Sequence, residues 1–135
     1  MDMLSILERY DMPFMRWLGM RFLTATQERV TAEMVVRDEL CNGSSVLHGG
    51  ALMALADNLG GTATVANLPE GAITATIESK TNFFAAVPKG DTARAVCMPL
   101  HRGRTTIVLE TRITRGDGKL AAIVTQTQLI LDKKE

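Results

Sequence analysis

A single stretch of this sequence is long and apolar enough to form a buried helix, and strand-like segments flank it on both sides. From residue 49 to about residue 65, leucines recur at helical spacing at Leu52, Leu55 and Leu59. Helix-breaking residues at 67–71 end the pattern. One long helix among several strands favours an α+β fold in which the sheet wraps around that helix.

Six segments are rich in Ile, Val and Thr or alternate between apolar and polar residues, as strands do. They are Gly19–Thr26, Arg29–Val36, Ala72–Phe84, Asp91–Leu100, Arg104–Thr114 and Leu120–Leu131. The breaks between the last four are short and turn-like, so these strands are predicted to be antiparallel neighbours. A short amphipathic helix is predicted over residues 4–10, with a stop near Pro13. The expected fold is α+β, with a curved antiparallel sheet of about six strands around one long central helix.

The composition fits one globular domain spanning residues 1–135. Lysine and arginine total 15, aspartate and glutamate also total 15, and this balance argues against a nucleic-acid partner. Cys41 and Cys97 are too few for a disulfide framework or a four-ligand metal site, so no metal is expected. Because neither a signal peptide nor a membrane span is recognisable, we expect a cytoplasmic protein without a membrane partner.

Asp57 is the unusual residue of the long helix, because it lies in its most apolar part. Burying an unpaired carboxylate is costly, so such a group is usually paired or has a raised pKa. The alternative is that Asp57 lies on an exposed or subunit-facing stripe and bonds a backbone group.

His48, Gly49 and Gly50 stand where a polar loop meets the start of this helix. Free N–H groups at a helix start can receive an oxyanion, and glycines allow close backbone approach. The alternative is a simple junction with His48 packed on the sheet. Gly49 and Asp57 are eight residues apart, or about 12 Å along one helix. One helix therefore cannot bring both to one reacting carbonyl, and if both are catalytic the protein is at least a dimer with sites between subunits.

Asn42, six residues before His48-Gly49-Gly50, together with Leu55-Ala56-Asp57, resembles the signature of hotdog-fold acyl-CoA thioesterases. The spacing is similar to that of the PaaI-like branch, which is related to the 4-hydroxybenzoyl-CoA thioesterases. The resemblance extends from about residue 18 to residue 131. It implies hydrolysis of an acyl- or aroyl-CoA thioester to the free acid and CoA, without a cofactor.

The resemblance also implies roles for individual residues. Asp57 would be the nucleophile or general base, and the Gly49 N–H would be the oxyanion donor. Asn42 would hold the water or substrate across the site, and His48 would order the loop and help polarise the carbonyl. The acid would come from one subunit and the Asn/His/Gly group from the other, in a homodimer that commonly stacks into a homotetramer. Thr76, on the strand after the helix, would line the site, although β propensity alone also accounts for a threonine there.

Binding of the CoA moiety requires cations and close backbone approach. The resemblance assigns it to the turn Arg102-Gly103-Arg104, which Thr105 follows, and to Gly50. A solvated hairpin turn is the alternative for 102–104. Lys80, Lys89 and His101 are weaker candidates.

Three points stay open at the level of sequence. A non-catalytic, ligand-sensing acyl-CoA binder is the main alternative to an enzyme, and a hotdog dehydratase or a Cys41–His48 nucleophile pair fits the pattern less well. The acyl group is not specified. The apolar segment that holds Met12, Met15, Trp17, Leu18 and Met20 either lines an acyl pocket or covers a sheet edge.

Overall fold

The computed structural model describes residues 2–132. Two short helices, α1 (Met3–Arg9) and α2 (Pro13–Leu18), precede the strands β1 (Met20–Ala25) and β2 (Val30–Val35). A 3₁₀ turn at Asp38–Leu40 leads to the long helix α3 (Gly49–Val65). Four long strands then follow, namely β3 (Ala72–Phe83), β4 (Thr92–Arg102), β5 (Thr106–Thr114) and β6 (Leu120–Asp132).

The strands form one six-stranded antiparallel sheet in the order β1-β2-β4-β5-β6-β3. Helix α3 packs against this sheet, and its leucines Leu52, Leu55 and Leu59 are buried in the core. The predicted α+β fold with one long central helix is therefore confirmed.

One predicted neighbour pair is wrong. β3 does not pair with β4 across Pro88-Lys89-Gly90 but crosses to the far edge of the sheet and pairs with β6. The turn residues lie instead against the loop before α3, where the Lys89 N–H donates to the Ser45 carbonyl and Leu47 donates to Val87. A turn signal fixes the local direction of the chain, but it does not identify the strand that follows as the hydrogen-bonding partner.

Pro13 begins a second helix, whereas the sequence predicted only a stop there. Proline is well tolerated in the first turn of a helix, because its missing N–H would have no partner there in any case. Gly19, with a φ of 74°, ends α2 in the left-handed conformation that glycine adopts readily. Two short helices therefore precede the sheet in place of the one that was predicted.

Candidate active site

Asp57 lies in the middle of α3 on the face that points away from the core, and its side chain is exposed. Met53 and Val65 share that face and are 38% and 50% exposed. The carboxylate is nevertheless held, since its Oδ1 accepts a hydrogen bond of 2.9 Å from Nε2 of Gln126 on β6. Asp57 thus lies on an exposed stripe, and its partner is a side-chain amide rather than a backbone group.

A chain of hydrogen bonds continues from Gln126 into the sheet. Nε2 of Gln128 donates to Oε1 of Gln126 at 2.8 Å and to Oγ1 of Thr76 at 2.7 Å. The Thr74 hydroxyl donates to Oε1 of Gln128 at 3.0 Å. The two glutamines are only 2% and 1% exposed, so the polar groups that support Asp57 are buried. We call Gln126, Gln128 and Thr74 the amide relay.

Gly60 gives the amide relay its room. A Cβ atom at this position would lie 2.7 Å from Cδ of Gln126 and still closer to its Oε1. Only a residue without a side chain lets α3 approach the glutamine this closely.

The amide relay was not predicted, although the sequence contains a signal for it. Residues 122, 124, 126 and 128 alternate on one face of β6, and Ala122 and Val124 mark that face as the one that packs in the core. Two glutamines on a core-facing row indicate a buried hydrogen-bond network, because buried polar groups need partners.

His48 caps α3. Its Nδ1 accepts a hydrogen bond of 2.8 Å from the Gly50 N–H, and its ring is exposed rather than packed on the sheet. Among residues 2–132, the Gly49 N–H donates a hydrogen bond to no acceptor. The helix start thus leaves the Gly49 N–H free, and the positive end of the helix dipole lies behind it.

Asn42 and Gly49 border the same cavity, of about 400 Å³, together with Phe83 and Phe84. The Asn42 side chain is exposed, and its Oδ1 accepts a hydrogen bond of 2.9 Å from the Ser44 N–H. Asn42 and Gly49 thus lie beside one cavity within one chain. Asp57 does not border this cavity.

Asp57 borders a different cavity of about 270 Å³, which lies between α3 and the two N-terminal helices. Its apolar lining includes Met3, Leu7, Met12 and Met15. The N-terminal segment therefore divides into residues that border this cavity and residues that do not. Met12 and Met15 border the cavity, whereas three neighbouring side chains lie elsewhere: Leu18 is buried in the core, Met20 packs against that core as the first residue of β1, and Trp17 is exposed beneath the Arg37 guanidinium.

The turn at 102–104 lies at the carboxyl end of α3. Arg102 and Asn67, just beyond α3, both donate hydrogen bonds to the Gln27 carbonyl, at 2.8 and 2.9 Å. Within one chain this turn and Asn42 are thus at opposite ends of a helix about 25 Å long. Arg104 is exposed, and a Cβ at Gly103 would lie 2.9 Å from the Thr106 carbonyl, so this tight turn needs glycine.

The weaker candidates are scattered. Lys89 forms an ion pair with Asp38 at 3.1 Å, and that hydrogen bond raises the pKa of the lysine. Lys80 is exposed on β3, and His101 lies against Gly103. The Cys41 thiol donates to the Arg37 carbonyl at 3.4 Å, while His48 Nδ1 is occupied by Gly50, which disfavours a Cys41–His48 pair.

Over residues 2–132, no cluster of three or more His, Cys, Asp or Glu side chains is placed to hold a metal ion. In the same range, no helix has the length and apolar character needed to cross a membrane.

Comparison with known proteins places this site in context. The thioesterase superfamily matches residues 44–122, a range that contains Gly49, Asp57 and Thr76. The thioesterase PA1618 of Pseudomonas aeruginosa is 31% identical over 115 residues, covering 84% of this chain and 79% of that protein. The crystal structure of a PA1618 mutant superposes with a TM-score of 0.85 at 29% identity and covers 95% of this chain and 91% of that one.

Two further solved structures share the fold at lower identity. The PaaI protein of E. coli has a TM-score of 0.84 at 21% identity, with 96% of this chain and 91% of that chain covered. The smu.793 protein of Streptococcus mutans, solved bound to acetyl CoA, has a TM-score of 0.78 at 24% identity, with 86% and 91% covered.

A six-stranded antiparallel sheet wrapped around one long helix, with the candidate acid on that helix, defines a hotdog-fold protein. The chain belongs to the thioesterase superfamily and is a thioester hydrolase. The resemblance to hotdog-fold thioesterases is thereby confirmed.

Proposed function

We propose that this protein hydrolyses acyl-CoA thioesters, with Asp57 as nucleophile or general base and the Gly49 N–H as oxyanion donor. The observation that carries the proposal is that one of these groups is a fixed base and the other is a free hydrogen-bond donor. Asp57 is an exposed carboxylate fixed from below by a buried amide, and Gly49 presents a free N–H at a helix start. A fixed base and a free donor are the two groups that acyl transfer to water requires.

Each active site is proposed to combine two subunits. Met53 lies halfway between Gly49 and Asp57 on α3. If two copies of α3 cross antiparallel with the twofold axis level with Met53, Asp57 of one chain is level with the partner subunit's Gly49. The exposed face around Met53 includes apolar side chains that a second copy would cover. Such a dimer removes the separation of about 12 Å that exists within one helix.

The substrate would occupy the features already described. The acyl group is proposed to enter the apolar cavity of about 270 Å³ beside Asp57. The cations near the turn 102–104 would bind the CoA phosphates, with Arg104 the freer of the two arginines, because Arg102 already binds Gln27. The acetyl CoA bound to the fold relative smu.793 supports a CoA ligand.

The reaction balances without a cofactor. As a nucleophile, the Asp57 carboxylate attacks the thioester carbonyl, the CoA thiolate leaves, and water hydrolyses the resulting anhydride. As a general base, Asp57 instead takes a proton from a water molecule whose oxygen attacks the same carbonyl, after which the C–S bond breaks and the departing CoA thiolate receives the proton. In both routes the negative charge that develops on the carbonyl oxygen is stabilised by the Gly49 N–H. The products are a free acid and CoA.

The first test is thiol release from a panel of short, long and aromatic acyl-CoAs, comparing the wild type with Asp57→Asn. The variant keeps the shape of the side chain and loses its charge, so we expect turnover to fall by about 10²-fold or more while CoA affinity is retained. Glu70→Gln makes the same chemical change at an exposed residue after α3 and serves as the matched control.

Unchanged turnover in Asp57→Asn would overturn the assignment of the acid. If CoA thioesters bind but none is hydrolysed by the wild type, the ligand-sensing alternative replaces the enzyme.

A further inference from the structure

The buried amide relay beneath Asp57 has a defined direction. A carboxylate can only accept hydrogen bonds, so Gln126 must turn its NH₂ group toward Asp57. Its oxygen then faces Gln128, which must in turn donate through its own NH₂ group. The remaining Gln128 oxygen faces the Thr74 hydroxyl, which also lies 3.1 Å from the Leu129 carbonyl. The two amide bonds, from Gln128 to Gln126 and from Gln126 to Asp57, thus run toward Asp57, and a second Gln128 N–H donates to Thr76.

This arrangement holds the carboxylate in one place. The side chains that line the cavity beside Asp57 from the N-terminal segment, from α3 and from β3 are uncharged: Met3, Leu7, Met12, Met15, Asn58 and Thr74. Gln126 is therefore the directional contact that the described chain makes to the Asp57 side chain. Since Gln126 is 2% exposed and its own oxygen is bonded, it cannot turn away to water.

The sequence makes two unfavourable choices to build this contact. Two glutamines occupy core-facing positions of β6, where apolar residues would pack at lower cost, and Gly60 occupies a helix interior. The two features meet at one contact, because Gly60 makes room for Gln126, which binds Asp57.

We propose that Gln126 is a positioning residue, which aims the Asp57 carboxylate at the substrate through the amide relay. This inference rests on the proposed function, because it gives Asp57 its catalytic role. A misplaced reacting group costs about 10- to 100-fold in rate, so the relay is expected to act on kcat rather than on substrate affinity.

The test is a double-mutant cycle with kinetics of thiol release. Gln126→Met keeps the length of the side chain and removes its donor. In the wild-type background we expect kcat to fall about 10-fold or more, with KM changed less than about two-fold. In the Asp57→Asn background, the same change should lower the residual rate less than about two-fold, because the group that it positions is already absent.

A residue that only packs would behave differently. Equal losses of kcat in both backgrounds, or a rise in KM with kcat unchanged, would overturn the positioning role. Thr111→Val removes a different buried polar group, the Thr111 hydroxyl on β5, and controls for the loss of core polarity. If Gln126→Met does not fold, Thr74→Val loosens the relay from its far end, and the same non-additivity with Asp57→Asn is expected.

The two proposals fail separately. Full activity of Gln126→Met beside an inactive Asp57→Asn overturns the positioning role alone. Full activity of Asp57→Asn overturns the proposed catalytic acid, and the positioning role with it.

Discussion

Gly60 and Gly61 are adjacent residues of α3, but an added side chain would change stability in opposite directions at the two positions. A Cβ at Gly60 would collide with Gln126, whereas a Cβ at Gly61 would meet no atom within 4 Å. We therefore expect Gly61→Ala to raise the free energy of unfolding by about 0.5–1 kcal/mol, because alanine favours the helix. Gly60→Ala should lower it by about 1–3 kcal/mol through overpacking. Urea denaturation of both variants measures the difference, and changes of equal sign would contradict this account.

The Cys97 thiol makes the free energy of unfolding depend on pH in the alkaline range. Burial raises the pKa of its thiol from 9.0 to about 11, outweighing a hydrogen bond with Thr111 that lowers it. Between pH 9 and 11 the unfolded chain loses this proton while the folded chain keeps it, so the contribution is constant below pH 9 and declines above it. We expect the free energy of unfolding to fall by an amount on the order of 2 kcal/mol between pH 9 and 11.

The measurement for Cys97 is the difference between two curves of unfolding free energy against pH. Other groups titrate in the same range, so the wild type is compared with Cys97→Ala, in which the thiol term is absent. Curves that run parallel from pH 8 to 11 would contradict the prediction.

At the scale of elements, one arginine joins the end of α2 to the rest of the fold, in addition to the buried side chains of Met15 and Leu18. The Arg37 guanidinium donates hydrogen bonds to the carbonyls of Trp17 and Leu18 and stacks over the Trp17 ring at 4.8 Å. It thereby satisfies carbonyls at the end of α2, where a positive charge also suits the helix dipole. Arg37→Lys keeps the charge but lacks the planar fork of donors.

We expect Arg37→Lys to loosen the N-terminal helices without unfolding the sheet. Hydrogen–deuterium exchange should become faster for residues 3–18 and stay unchanged in α3 and in β4–β6. Arg29→Lys, at an exposed turn, is the matched control. Protection that is unchanged at residues 3–18 would show that packing alone holds α2 in place.

How far the elements follow from sequence differs from case to case. The bounds of α3 were predictable because breakers follow it, and the separation of Gly49 from Asp57 follows from helix rise alone. The partner of β3 was not predictable from the sequence, because β propensity and turn residues carry no information on which distant strand is adjacent. Gln126 was missed for a related reason: its contact with Asp57 joins residues 69 positions apart and depends on that strand order.

At the scale of the whole molecule, the proposed dimer predicts complementation between two inactive variants. Asp57→Asn and Asn42→Ala each damage a different half of a shared site. A mixed dimer would contain one site in which both halves are intact. If subunits exchange at random, half of the dimers are mixed, so about a quarter of wild-type activity should return.

The experiment mixes the two purified variants after mild denaturation and refolding, and measures thiol release. Asp57→Asn refolded with Asp57→Ala is the control, because no combination of these restores the acid. Absence of any recovery, with mixed dimers demonstrated by mass spectrometry, would contradict a site shared between subunits.

The sheet order has a further consequence, for the time course of folding. β3 ends at residue 83, and its hydrogen-bonding partner β6 begins only at residue 120. On a ribosome, the β3 segment therefore emerges well before the strand that pairs with it. Such long-range pairing slows folding, and an unpaired edge is prone to aggregation. β6 is the strand that finally covers one side of β3, so folding of the domain is completed only after β6 has been synthesised.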